Sequence, residues 1–199
     1  MLDKLIASTI LACLSPLFVT VVAAIKLERL LNQVAKGPAI WTVTRISQGK
    51  PFAMLKFRTI RADHHPDEHD GPHKHYSTYQ TNPDATRVGR FLLRWYLDEL
   101  PQLINILRGE MRLVGPRPVA PWEYERELLD GSDSKRQGKA GWAGLTQAAK
   151  GHSASRYENM QLDAEYVRRI STMRPMKRFI YDLSILVQTA RTAIRGEGR

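Results

Sequence analysis

The chain has 199 residues and a single cysteine, Cys13, set in an apolar stretch. That excludes a disulfide framework and a cysteine-built zinc site, and it is compatible with a reducing compartment. Aromatic residues make up only 8% of the chain, too few for a series of base-stacking platforms, and no nucleic-acid-binding motif is present. Acidic residues are scarce as well: 20 Asp and Glu stand against 30 Lys and Arg, a formal net charge of +10. This excess implies an anionic partner, and nucleic acid, an anionic membrane face and phosphorylated small molecules all qualify. Internal repeats and low-complexity tracts are absent, which excludes a solenoid. The hydrophobic content of 43% supports one domain of about 150 to 180 residues with an appendage.

Charge is missing altogether from Leu5 to Ile25 (LIASTILACLSPLFVTVVAAI). A helix of that length reaches across the hydrocarbon core of about 30 Å, so the segment is expected to enter a membrane. Lys4 precedes it and Lys26, Arg29 and Lys36 follow it, so the flanking charge selects neither side. Pro16 removes a backbone donor at the middle of the run, and Ser15 can satisfy a freed carbonyl. A re-entrant hairpin, a kinked span and a secretory signal with Val22-Ala23-Ala24 as cleavage site all remain open on these residues, although Asp3 argues against the signal. Lys26 to Lys36 continues as a basic amphipathic stretch suited to a bilayer interface.

Beyond Gly37-Pro38, Ala39 to Arg45 and Pro51 to Phe57 read as two strands of a hairpin around Ser47-Gln48-Gly49-Lys50. The segment near 61–84 is polar and lacks apolar periodicity. Its histidines His64, His65, His69, His73 and His75, with Asp63, Asp67 and Asp70, are of ligand type, but their spacing matches no specific metal site, and a solvated loop is the preferred reading. Helices are expected from Gly89 through Trp95, over Trp122 to Leu129, over Glu158 to Ile170, and over Arg178 to Arg195 after the break at Arg174-Pro175. A glycine-rich connection, Gly131 to Gly151, is expected between the second and third of these.

The most informative stretch is Leu97 to Pro118 (LDELPQLINILRGEMRLVGPRP). Leu97, Leu100, Leu103, Ile104 and Leu107 recur at helical spacing and leave Asp98 and Glu99 off the buried stripe. Taken alone, D-E-L-P reads as an N-cap, Asp98, followed by a tolerant first turn. The surroundings favour phosphate chemistry instead: cations flank it, and Arg117 is held in a stiff Gly-Pro-Arg-Pro frame that lowers the cost of forking onto a phosphate. Adjacent carboxylates on a regular helix point about 100° apart, so a division of labour is expected rather than a facing pair.

In this order, Asp3, Ser15-Pro16, Gly37-Pro38, Gly49-Lys50-Pro51-Phe52, Lys56-Phe57-Arg58-Thr59, Thr86-Arg87-Val88-Gly89-Arg90, Leu97 to Pro118, Gly144-Leu145-Thr146-Gln147 and Asp163-Ala164-Glu165-Tyr166-Val167 resemble the bacterial sugar transferases, the monotopic phosphoglycosyl transferases. The resemblance implies an α+β, mainly helical fold. A re-entrant membrane helix with an interfacial continuation would occupy residues 1–36. A compact catalytic domain, with a small β-hairpin and amphipathic interfacial helices, would occupy residues 37–199. It implies transfer of a sugar phosphate from a UDP-sugar to polyprenyl phosphate at the cytoplasmic face of the bacterial inner membrane. Membrane lipid is then a partner, nucleic acid is not, and a homodimer is compatible.

By motif, Asp98 would be the nucleophile that attacks the sugar-linked phosphorus, and Glu99 would hold Mg²⁺. Lys56, Arg58, Arg94, Arg117, Gln147 and Asp163 would line the substrate site, while Ser15 and Pro16 would form the membrane break. The chain departs from the family at four places, one of them a longer stretch from Ser171 to Asp182. Leu93 stands where an arginine is usual, with Arg94 one step on; Ala140-Gly141 replaces proline-glycine; and Arg112 replaces serine. The competing reading from another class is a membrane-tethered module that binds nucleic acid or anionic lipid without catalysis, resting on the +10 charge.

Overall fold

The computed structural model describes residues 2–31, 37–61, 85–149 and 155–195. The chain opens with two helices, α1 (Leu2–Cys13) and α2 (Ser15–Leu31), bent by 62° at their junction. The bend has a local cause. Pro16 cannot donate to the carbonyl of Ala12, and the Ser15 hydroxyl donates there instead at 2.8 Å. Leu14 N–H to Ile10 O and Phe18 N–H to Leu14 O, both 2.9 Å, carry the backbone ladder through the break. Among the described residues no single helix is long and apolar enough to cross a membrane; this bent pair is, by length and composition together. The interfacial stretch expected up to Lys36 extends past Leu31 outside the described residues.

The hairpin is present and longer than its apolar alternation suggested: β1 (Ile40–Ser47) pairs antiparallel with β2 (Lys50–Phe57), from Ile40 opposite Phe57 to Ser47 opposite Lys50. Gln48 and Gly49 both adopt positive φ, +53° and +73°, which gives a two-residue turn whose twist matches that of the strands. Next come α3 (Arg87–Arg94), a single 3₁₀ turn over Leu97–Glu99, and α4 (Gln102–Arg108). Thr86 caps α3, its hydroxyl accepting from Gly89 N–H at 2.9 Å. Gly89 is required by close approach: a Cβ there would lie 2.0 Å from the carbonyl oxygen of Thr59.

The remainder is β3 (Arg112–Val114), α5 (Pro121–Leu129), α6 (Ser134–Gln137), β4 (Gly141–Ala143), α7 (Leu145–Ala148), α8 (Arg156–Thr172) and α9 (Pro175–Arg195). The architecture is thus mainly helical with small sheets, as expected. Of the expected Gly131 to Gly151 connection, residues 131–149 are described, and they hold more regular structure than the glycines implied, because β4 pairs in parallel with β3, Arg112 opposite Gly141 and Val114 opposite Ala143. A three-residue strand has no periodicity to read, so only this pairing reveals it. The histidine-rich segment lies outside the described residues.

One hydrophobic cluster joins these pieces: Ala7, Val21 and Ile25 of the helix pair are buried together with Phe57, Leu92, Leu103, Ile106 and Tyr166. Phe18 packs on Phe57 with ring centroids 4.7 Å apart. Arg112, at the position where serine was expected, donates to Asp3 at 2.9 Å and stands 4.0 Å from Asp182. The substitution therefore ties the start of α1 to β3 and α9.

Candidate active site

Chain geometry brings the adjacent carboxylates to one cation. α3 ends at Arg94, and Tyr96 then takes a left-handed conformation, φ +56°, that few bulky residues adopt. This reverses the chain's course into the 3₁₀ turn that carries Asp98 and Glu99. Lys56, on β2, points its ammonium between them, 3.3 Å from Asp98 Oδ2 and 3.1 Å from Glu99 Oε1. The two carboxylates differ in environment. The Asp98 side chain is 3% exposed and the Glu99 side chain 25%, so one is enclosed and the other opens toward solvent.

Asn105, which the sequence reading did not single out, sets this register. Fully buried on α4, it accepts from Leu55 N–H at 2.9 Å and donates to Ala53 O at 2.8 Å and Glu110 Oε2 at 2.6 Å. Both strand contacts fall on β2 beside Lys56, so one amide clamps the strand to the helix that follows the carboxylates. An asparagine amid a leucine-rich helical stripe was the available signal: a polar residue on a buried face requires partners.

The other expected site residues are built into neighbouring elements. Arg58 is buried; its Nε donates to Pro38 O at 2.9 Å, while Nη1 has no acceptor among the described residues. Burial lowers its pKa from the usual arginine value. Asp163, on α8, accepts from Arg117 N–H and from the Thr146 hydroxyl, both at 3.1 Å, and pairs with buried Lys135. This buried carboxylate therefore holds the Gly-Pro-Arg-Pro turn against α6 and α7. The Arg117 side chain is half-buried and makes no hydrogen bond among the described residues. Gln147 Oε1 is buried and has no donor among the described residues. Leu93 is buried in the core, while Arg94 is exposed and lies over the Trp95 ring, 5.7 Å from its centroid.

A divalent ion is the cofactor to weigh. The hard oxygens of Asp98 and Glu99 suit Mg²⁺, which takes one or two protein carboxylates and completes its shell with water and phosphate oxygens. The donor set fits, with Glu99 the more open of the two. Among the described residues no group of three or more His, Cys, Asp or Glu is placed to hold a metal by itself.

The sequence profile described as "Bacterial sugar transferase" matches residues 1–196. The chain is 34% identical over 183 residues to the UDP-glucose:undecaprenyl-phosphate glucose-1-phosphate transferase of Escherichia coli (strain K12), covering 88% of this chain and 37% of that protein. It is 33% identical over 197 residues to the protein of the same name from Caulobacter vibrioides, covering 94% and 69%. It is 35% identical over 181 residues to the exopolysaccharide production protein ExoY of Rhizobium meliloti, covering 85% and 76%. The chain thus spans little more than a third of the Escherichia coli relative and about two thirds of the Caulobacter one.

Proposed function

The chain belongs to the bacterial sugar transferase family, and on that premise we propose that it moves a sugar-1-phosphate from a UDP-sugar to undecaprenyl phosphate, an initiating step in building a surface polysaccharide. The observation that carries this reading is the enclosed Asp98 carboxylate beside Glu99 with Lys56 bridging both. A carboxylate is a competent nucleophile toward a phosphoanhydride when the charge that develops on the leaving group is offset.

Asp98 attacks the phosphorus that bears the sugar. The bond to the bridging oxygen of the diphosphate breaks, UMP leaves, and an aspartyl phospho-sugar remains. Undecaprenyl phosphate then attacks the same phosphorus and the Asp98 carboxylate is released, so atoms and charge balance over two half-reactions. Lys56 orients both carboxylates and offsets their repulsion. Arg58, with a buried Nη1 lacking an acceptor, and Arg117, in its proline frame, are the groups suited to grip phosphate oxygens. Glu99 would hold Mg²⁺, which when bound would supply charge neutralisation at the diphosphate.

The helix pair is the membrane element in this reading, and a re-entrant one. Asp3 at its start is bound to Arg112, and Glu28 near its end is bound to α3; both ends thus meet the same catalytic body, which favours their lying on one side of a bilayer. Since UDP-sugars are cytoplasmic, that side is the cytoplasmic face of the inner membrane. The test is direct: purified protein, Mg²⁺, undecaprenyl phosphate and a panel of UDP-sugars should release UMP, and a sugar-phosphate label should attach to the protein. Absence of UMP with every sugar nucleotide would overturn the reading.

A further inference from the structure

Glu28 has no part in the chemistry described so far. It lies on α2, downstream of the apolar run, and its carboxylate reaches a different element: Oε1 accepts from Arg87 N–H at 2.7 Å and Oε2 from Val88 N–H at 3.2 Å. These are the first two amides of α3, which have no partner within their own helix. The other two of the four unpartnered donors go elsewhere, Gly89 N–H to the Thr86 hydroxyl at 2.9 Å and Thr86 N–H to Thr59 O at 3.0 Å. One of the four is thus capped by the Thr86 side chain, one by the Thr59 carbonyl, and two by a carboxylate that emerges from the membrane pair.

What α3 carries makes this tie consequential. Leu92 and Leu93 are buried at 0% and 1% exposure, so the helix is keyed into the core. Two residues after it ends, left-handed Tyr96 redirects the chain into Leu97–Glu99. Gly89 presses directly on Thr59, next to Arg58, which leaves α3 little room to slide without moving that strand end too. A small shift of α3 therefore passes through a short, stiff connection to Asp98, and misplacement of a reacting group by about 1 Å can cost about a hundredfold in rate.

We propose that Glu28 is a positioning residue that couples the seating of the membrane helix pair to the placement of the Asp98 carboxylate. A carboxylate at a helix N-terminus also complements the helix dipole, so the tie is stronger than two neutral hydrogen bonds. The inference rests on Asp98 being the nucleophile, as proposed above.

The experiment compares the wild-type chain with Glu28→Ala, Glu28→Gln and Thr86→Ala, all reconstituted in lipid nanodiscs. It reads kcat, KM for the UDP-sugar, the rate of covalent labelling, and amide exchange resolved at Arg87 and Val88. Glu28→Ala should lower kcat and the labelling rate about tenfold, leave KM within about twofold, and speed exchange at those two amides. Glu28→Gln, with one acceptor oxygen and no charge, should fall between. Thr86→Ala also uncaps α3 but leaves the tie to α2 intact, so it should lower kcat by no more than about twofold. An unchanged kcat in Glu28→Ala with faster exchange would reduce Glu28 to a simple cap and overturn the proposal, as would an equal loss in Thr86→Ala. Turnover by the wild-type chain without any covalent label would instead remove Asp98 as nucleophile, and the comparison in kcat would still decide the role of Glu28.

Discussion

At the level of single residues, the site is a study in unequal carboxylates. Asp98 and Glu99 share Lys56 but not exposure. Asp98→Asn keeps the shape and removes the proposed nucleophile, so turnover should fall by at least about 10³-fold and covalent labelling should vanish; residual turnover near the wild-type rate would exclude Asp98 from attack. A second carboxylate invites a pH test. Glu127 is buried beside Lys135 and Asp163, and burial raises its pKa above the usual glutamate value despite the attraction of Lys135. A carboxyl raised in the folded state contributes its full stability below the unfolded value of about 4.5 and loses it as pH rises through the folded one. Glu127→Gln removes that loss. The variant should match the wild type near pH 4 and exceed it at neutral pH, each kcal/mol recovered raising the unfolding midpoint by about 2 to 4 °C. Tryptophan fluorescence during thermal unfolding across that pH range checks the crossover.

At the level of elements, the catalytic geometry depends on how α4 grips β2. Asn105 makes that grip with one acceptor and one donor contact to β2, and a second donor contact goes to Glu110. Asn105→Ala removes the partners of the half-buried Leu55 amide and of the carbonyl of exposed Ala53, a destabilisation of about 0.5 to 1.5 kcal/mol per hydrogen bond, and kcat should drop as Lys56 loses its register. Asn105→Asp should be worse than alanine although it retains the acceptor for Leu55, because its charge would face the Ala53 carbonyl and the Glu110 carboxylate. Denaturant midpoints and kcat for the pair of variants check the order; an aspartate variant better tolerated than alanine would contradict it. The leucine stripe of Leu97 to Leu107 was legible from spacing. The 3₁₀ turn that interrupts it was not, since it is produced by the left-handed turn at Tyr96 and by Pro101 ahead of α4.

At the level of the whole molecule, the bent helix pair shares its core with the catalytic elements instead of standing apart from them. The two ends of the pair are tethered by charge, Asp3 to Arg112 and Glu28 to α3. A re-entrant arrangement keeps residue 2 on the cytoplasmic side. A cysteine introduced at Leu2 in a Cys13→Ser background should therefore resist a membrane-impermeant thiol reagent added to intact cells and react after permeabilisation. Labelling from outside would establish a span and force Asp3 away from Arg112.

The sequence by itself determined the apolar run with its Ser15-Pro16 break, the hairpin, the adjacent carboxylates Asp98 and Glu99, and the family. Each of these is written in local spacing or in residues that chemistry permits few substitutes for. Only the tertiary structure decided that Lys56 reaches both carboxylates, that Asn105 sets the strand register, that Asp163 braces the Arg117 turn from a buried ion pair, and that Arg112 fastens the first helix. Those contacts join residues far apart in the chain, and no local pattern encodes a distance that only packing fixes.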